Sequence, residues 1–189
     1  MLFRSSHPKI NNFISVKQYM FLNRFGKKCL SLIRDGDTVM VDSSSSALAL
    51  LRVIDAKRSI VVVTNSAKAA LILAETKVKT FVTGGELAAD TYAYVGSYAE
   101  DFIRSFNADL CFFSVRRLTP DGRLTDNALA ENRVRSAMLS VARRRVLMLD
   151  SQKIGDPCLH TLCHIPDIDH IVSERDISER FPQYADKFL

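Results

Sequence analysis

A run of four serines supplies the residues of this chain that are best suited to bind an anion. The run follows a short apolar stretch, 39–41, and leads into the helix-forming segment 47–51. This order predicts a strand-to-helix turn, where backbone N–H groups and hydroxyls converge and favour a phosphate. A serine that only caps the helix is the simpler interpretation, and the sequence leaves both open. The residues of the turn are Asp42, Ser43, Ser44, Ser45 and Ser46.

Small, polar and basic residues also follow the later apolar runs of the chain. Ligands of open parallel sheets bind beyond the carboxyl ends of the strands, so these residues are expected to converge on one site. Glycine pairs allow close approach of the backbone to a ligand, and basic side chains attract phosphate. The additional predicted site residues are Thr64, Asn65, Gly84, Gly85, Arg116 and Lys153.

An alternation of strands and helices must position these residues. Apolar runs rich in β-branched residues predict strands that end at residues 42, 64, 82, 113, 149 and 172. Helical spacing predicts helices at 16–33, 46–55, 67–75, 97–106 and 128–144, and a further helix in the tail 176–189. Apolar strands alternating with helices predict an α/β fold, a Rossmann-like, mostly parallel sheet with helices on both faces.

Two other groups of residues are not expected to bind a ligand. Cys158, His160, Cys163 and His164 lie within seven residues but lack the paired spacing of structural zinc sites, so a loop and short strand are expected and no metal is predicted. Residues 143–145 are three arginines at the predicted end of helix 128–144, where positive charge complements the helix dipole.

Composition limits the class of protein. The chain has 189 residues, is 47% hydrophobic and carries a formal net charge of +5. It holds no apolar run near the roughly 20 residues that a membrane span needs, which predicts a cytoplasmic domain with no membrane partner. The modest positive charge permits an anionic ligand without requiring one.

Nine short motifs occur in an order that resembles the C-terminal sensor domain of the DeoR family of bacterial transcriptional regulators. They extend over nearly the whole chain. The motifs are D-G-D (35–37), D-S-x-[ST]-[ST] (42–46), V-V-T-N-S (62–66), T-G-G (83–85), V-G (95–96), D-x-x-F (109–112), D-G-R-L-T-D (121–126), E-x-x-V-R-x-A-M (131–138) and D-S-x-K (150–153).

The resemblance implies a fold like that of ribose-5-phosphate isomerase and of CoA transferases, and a domain that binds a phosphorylated sugar or related metabolite. By that resemblance the serines 44–46 would hold phosphate or sugar oxygens, and Asp42, Asn65 and the glycines 84–85 would line the pocket. Glu131 and Lys153 would add polar contacts. No cofactor is implied, and a homodimer or homotetramer is expected.

Two sites depart from the family pattern. The family's first loop usually has a glycine where this chain has Ser44, and the segment after the fourth strand usually bears glycine where residues 116–117 are arginines. The family also carries an N-terminal winged helix-turn-helix. Residues 1–15 are instead interpreted as an arm or linker and 16–189 as the sensor domain, so DNA would be bound only through an N-terminal domain absent from this chain.

Two alternatives remain beside the sensor. An isomerase-like enzyme would need a general base, and Glu131 is the carboxylate that the resemblance offers. The segment 113–117, which is rich in acids in the isomerases, has none here, so binding without turnover is expected. The other alternative is an oligomerisation domain without a ligand.

Overall fold

A computed structural model describes residues 25–54 and 59–189. Residues 25–30 are helical, and four further α-helices follow: α1 (Ser45–Leu51), α2 (Ala67–Ala74), α3 (Ser97–Arg104) and α4 (Leu129–Val141). The strands in chain order are β1 (Thr38–Val41), β2 (Val61–Thr64), β3 (Lys79–Val82), β4 (Glu86–Ala88), β5 (Ala93–Val95), β6 (Ala108–Phe113), β7 (Arg117–Leu118), β8 (Arg123–Asp126), β9 (Ala142–Leu149), β10 (His160–His164) and β11 (His170–Ser173).

Six of the strands form one sheet in the order β11-β9-β6-β1-β2-β3, and every pair in it is parallel. The chain moves outwards from β1 through β2 to β3, then returns to β6 on the other side of β1. The sheet therefore has a topological switch point between β1 and β6, where crevices form beyond the strand ends. This arrangement confirms the predicted α/β fold.

Alternate side chains of the strands pack on opposite faces of the sheet. On β1, Val39 and Val41 join a buried cluster with Leu50 of α1 and Leu73 of α2. Met40 joins a second cluster, which contains the buried apolar residues of α3 and α4. Helices thus cover both faces, as predicted.

Two small antiparallel sheets lie outside the main sheet, one of β10-β8-β7 and one of β4-β5. None of the strands or helices predicted from the sequence falls in residues 86–95 or 114–127. The strands of the small sheets are only two to five residues long, so pairing with distant segments defines them more than their own sequence. The short strand expected near residues 158–164 is present as β10.

The prediction that helix 128–144 ends in three arginines is wrong. Helix α4 ends at Val141, and the arginines lie in β9, which pairs with β6 from Ala142 onwards. Arg143 lies 3.8 Å from Asp109, so this arginine has a strand-to-strand ion-pair partner instead of a helix dipole. The pairing of this segment with β6 outweighs the local helical pattern.

The prediction of a helix in the tail 176–189 is also wrong. The tail forms two short 3-10 segments, Ser178–Arg180 and Pro182–Lys187. Its end pairs with β11, since Leu189 N donates to Ile171 O at 3.0 Å. Helix α1 is shorter than the predicted helix 46–55. The predicted arm 1–15, the first part of the predicted helix 16–33 (residues 16–24) and residue 55 lie outside the described residues.

Candidate functional site

A cleft of about 680 Å³ opens beyond the carboxyl ends of β1, β6 and β9. It therefore lies at the switch point of the sheet, where the fold class places its ligands. The residues that line it are Ser43, Ser44, Ser45, Leu48, Lys68, Ala88, Ala89, Asp90, Thr91, Ser114, Val115, Arg116, Asp126, Asn127, Ala128, Glu131, Arg135 and Lys153. Six predicted site residues are among them.

The serine turn begins helix α1. Ser44 is the N-cap, and its Oγ accepts a hydrogen bond from Ala47 N at 3.1 Å. Ser43 and Ser45 line the cleft beside it, whereas Ser46 is buried in the helix. The capping interpretation thus holds for Ser44, and its neighbours Ser43 and Ser45 line the cleft.

Asp42 is buried beneath the cleft at the end of β1. Its Oδ1 accepts from Ser44 N at 3.1 Å, and its Oδ2 accepts from Ser114 N at 3.2 Å and from Arg135 Nε at 3.1 Å. The carboxylate therefore ties the ends of β1 and β6 to helix α4. It holds the base of the cleft together and does not line it.

Arg135, which is not among the predicted site residues, is the central residue of a buried charge cluster. Besides Asp42, it donates from Nη1 to Asp126 Oδ2 and from Nη2 to Glu131 Oε2, both at 3.0 Å. Burial by itself would lower the pKa of Arg135, but the three surrounding carboxylates raise it above its ordinary value. The i, i+4 spacing of Glu131 and Arg135 was the available local signal, whereas the contact with Asp42 spans 93 residues.

Lys153 reaches the cleft from the 3-10 segment Ser151–Lys153, which follows β9. Its ammonium donates to Ser114 Oγ at 2.8 Å, and that hydroxyl donates to Met148 O at 2.7 Å. Burial lowers the pKa of Lys153. Within the described ranges, no carboxylate lies within 4.0 Å of this ammonium.

Glu174, just beyond β11, anchors the segment that carries Lys153. Its carboxylate accepts from Ser151 N at 3.0 Å, from the Ser151 hydroxyl, and from Ser173 Oγ at 2.8 Å. Burial by itself would raise the pKa of Glu174, but these hydrogen bonds lower it below its ordinary value. Glu174 is not among the residues predicted from the sequence.

Two further cations line the cleft. Arg116 is exposed and forms no ion pair with any other residue of 25–54 or 59–189. The ammonium of Lys68 lies 4.1 Å from the ring centre of Tyr92. Together with Lys153, they give the cleft three cations that lack carboxylate partners within the described part of the chain.

Besides Asp42 and Ser46, four predicted site residues lie outside the cleft lining. Thr64 Oγ1 accepts from Ser66 N at 3.1 Å, and Asn65 Nδ2 donates to Tyr94 O at 3.1 Å. Gly84 is open to solvent, and Gly85 lies against the backbone of β5. That Thr64, Asn65, Gly84 and Gly85 touch a ligand stays a prediction.

Two walls of the cleft consist of residues that were not predicted from the sequence. Residues 88–91, at the turn between β4 and β5, form one of them, and residues 126–128, between β8 and α4, form the other. Both depend on the small antiparallel sheets, which local patterns did not indicate.

Residues 25–54 and 59–189 contain no group of three or more His, Cys, Asp or Glu side chains placed to hold a metal ion. None of the helices within these ranges has the length and apolar character to cross a membrane.

Comparison with known proteins defines the class of protein that this fold and cleft belong to. The family model of the DeoR C terminal sensor domain matches residues 22–175. The chain therefore belongs to the DeoR C-terminal sensor domain family, which confirms the resemblance seen in the nine motifs.

Its relatives are transcriptional regulators. The chain is 25% identical over 154 residues to the HTH-type transcriptional regulator GolR of Listeria innocua, covering 81% of this chain and 61% of GolR. It is 24% identical over 166 residues to the HTH-type transcriptional repressor GlcR of Bacillus subtilis, covering 87% of this chain and 64% of GlcR. The chain spans about three fifths of the length of the curated relatives it matches.

Solved structures share the fold. Ribose 5-phosphate isomerase A of Methanocaldococcus jannaschii matches with a TM-score of 0.52 and 12% identity, over 72% of this chain and 54% of the isomerase. The eIF2B delta subunit of Chaetomium thermophilum matches with a TM-score of 0.59 and 14% identity, over 82% of this chain and 56% of the subunit. At this identity the likeness concerns the fold alone.

Proposed function

We propose that the cleft binds a phosphorylated sugar or a related metabolite, with the phosphate held by Lys153 and Arg116. The observation that carries the proposal is the ammonium of Lys153, which is partly buried beside the cleft with a hydroxyl, that of Ser114, as its hydrogen-bond partner. Burial disfavours its charge, and a bound phosphate would compensate by direct charge pairing. Arg116 adds a second donor at the same cleft.

The same cleft offers acceptors and donors for sugar hydroxyls. Ser43 and Ser45 can donate or accept, and the carboxylates of Asp126 and Glu131 accept. Each of these two carboxylates is held in place by Arg135 at 3.0 Å. A ligand with one strong anionic group and several hydroxyls satisfies both sets of residues.

The proposal assigns a regulatory and not a catalytic role to the bound ligand. The relatives are transcriptional regulators, and Glu131, the general base expected of an isomerase, is engaged by Arg135. We assign DNA binding to an N-terminal helix-turn-helix domain like that implied by the relatives' names, and ligand sensing to this domain in the cytoplasm. A homodimer or homotetramer is part of the same proposal.

A calorimetric titration of the purified chain tests the ligand class. The probes are ribose 5-phosphate, glucose 6-phosphate and glycerol 3-phosphate, each beside its unphosphorylated counterpart. We expect binding of at least one phosphorylated probe, and we expect Lys153→Met to weaken it about 10- to 100-fold because a charged hydrogen bond is lost. Ser45→Ala should weaken it less.

Lys77→Met is the matched control, since Lys77 is exposed and does not line the cleft. Equal binding by the wild type and by Lys153→Met would contradict the assigned phosphate site. Conversion of a bound aldose phosphate into its ketose would instead support the isomerase alternative. The exchange of the substrate's carbon-bound proton with solvent measures this conversion.

A further inference from the structure

A hairpin formed by β4 and β5 supplies one wall of the cleft. Its turn, residues 89–92, connects the antiparallel strands Glu86–Ala88 and Ala93–Val95. Four consecutive residues at this end of the hairpin, 88–91, line the cleft. The hairpin therefore contributes to the cleft although its strands lie outside the main sheet.

The hairpin is fixed to the end of β2. Asn65 is bonded to Tyr94 twice: Tyr94 N donates to Asn65 O at 2.7 Å, and Asn65 Nδ2 donates to Tyr94 O at 3.1 Å. Ala67 N donates to Tyr92 O at 2.9 Å. These bonds orient the turn towards the cleft.

The turn itself has a defined conformation. Tyr92 has a positive φ of 57°, its N donates to Ala88 O at 2.8 Å, and Lys68 covers its ring. A non-glycine residue holds this conformation only where its surroundings require it. The position of the preceding residue, Thr91, is therefore set by the turn.

Thr91 carries a polar atom whose role the fold does not explain. Its Oγ1 is buried and has no hydrogen-bond partner within the described part of the chain, although the residue lines the cleft. A buried hydroxyl without a partner is unfavourable. Rotation about χ1 to another staggered position would move the hydroxyl out of this buried place, and this is the movement by which it would reach a ligand in the cleft.

We propose that Thr91 is a specificity-determining residue, whose hydroxyl bonds a hydroxyl group of the carbohydrate part of the ligand. The inference rests on the proposed function and extends it. It assigns recognition of the sugar hydroxyls and binding of the phosphate to different residues. Asn65 then acts as a positioning residue, since it holds the hairpin that carries Thr91.

The experiment compares dissociation constants for inorganic phosphate and for the sugar phosphates named above. Thr91→Val, which keeps the shape and removes the hydroxyl, should weaken the best-bound sugar phosphate about 5-fold. Its dissociation constant for inorganic phosphate should stay unchanged. Thr91→Ser should restore sugar phosphate binding, and Thr161→Val, an exposed threonine of β10 outside the cleft lining, should have no effect.

The thermal midpoint of Thr91→Val should not fall below that of the wild type, since no hydrogen bond within the described residues is lost. Two results for Thr91→Val would overturn the role of Thr91: unchanged affinity for the sugar phosphate, or an equal loss of affinity for inorganic phosphate. Neither result would contradict the proposal that the cleft binds phosphate. A wild-type chain that binds none of the probes would overturn both proposals.

Discussion

The guanidinium of Arg135 lies 3.1 Å from the carboxylate of Asp42, Nε to Oδ2, across the switch point of the sheet. The contact joins helix α4 to the end of β1 at the base of the cleft. Because Asp42 also accepts from Ser114 at the end of β6, one buried ion pair positions the two central strands and the helix that bears Glu131.

Replacing Arg135 should destabilise the chain strongly. Arg135→Met leaves the carboxylates of Asp42, Asp126 and Glu131 close together without their cation, which is expected to cost about 3–5 kcal/mol in the free energy of unfolding. Urea denaturation measures it. Arg133→Met, at an exposed position on the same helix, should change the value by less than about 0.5 kcal/mol. Similar values for both variants would show that the cluster contributes little.

Substitution of the paired glycines should have opposite consequences. Gly85 has φ +117°, and a Cβ there would lie 2.4 Å from Val95 O, so Gly85→Ala should cost about 1–3 kcal/mol. Gly84→Ala meets nothing within 4 Å and should be neutral or stabilising by up to about 1 kcal/mol. Thermal and urea unfolding measure both.

The same pair tests a prediction from the sequence. If Gly84 approaches a ligand, Gly84→Ala should retain its stability and lose affinity for a sugar phosphate. Retained affinity would assign Gly84 to the loop alone, and equal unfolding curves for the two glycine variants would contradict the contact between Gly85 and β5.

Lys153 should make stability depend on pH on the alkaline side. Burial lowers the pKa of Lys153 in the folded chain, so between the lowered and the ordinary pKa the unfolded chain binds more protons. The free energy of unfolding should therefore rise with pH through that window. Lys153→Met should lack this component, whereas Lys77→Met should keep it. Parallel pH profiles for wild type and Lys153→Met would refute the prediction.

Glu174 should contribute stability that is lost in acid. Its pKa is lowered in the folded chain by hydrogen bonds from Ser151 and Ser173, so its contribution is present above the ordinary glutamate pKa and disappears as pH falls through the lowered value. Glu174→Gln should flatten the acid limb of the unfolding profile and weaken phosphate binding, because the segment carrying Lys153 loses its anchor. Glu179→Gln, at an exposed position, is the control and should leave both unchanged.

Local sequence was sufficient to locate the carboxyl ends of the six strands of the main sheet. The β-branched runs at 39–41 and 61–63 became buried parallel strands, because side chains that suit a sheet covered on both faces are recognisable without knowledge of their partners. The placement of Lys153 and the serine turn at one edge follows from the same rule, since the carboxyl ends of parallel strands meet there.

Tertiary contacts decided the rest. Residues 143–145 have a helical pattern, but they pair with β6 and form strand β9. The ligand contact expected of Asn65 stays a prediction, whereas its bond to Tyr94, 29 residues further along the chain, is defined only in the fold. The cluster around Arg135 joins residues 42, 126, 131 and 135. Local propensity carries no information about such distant partners, so only the assembled fold defines them.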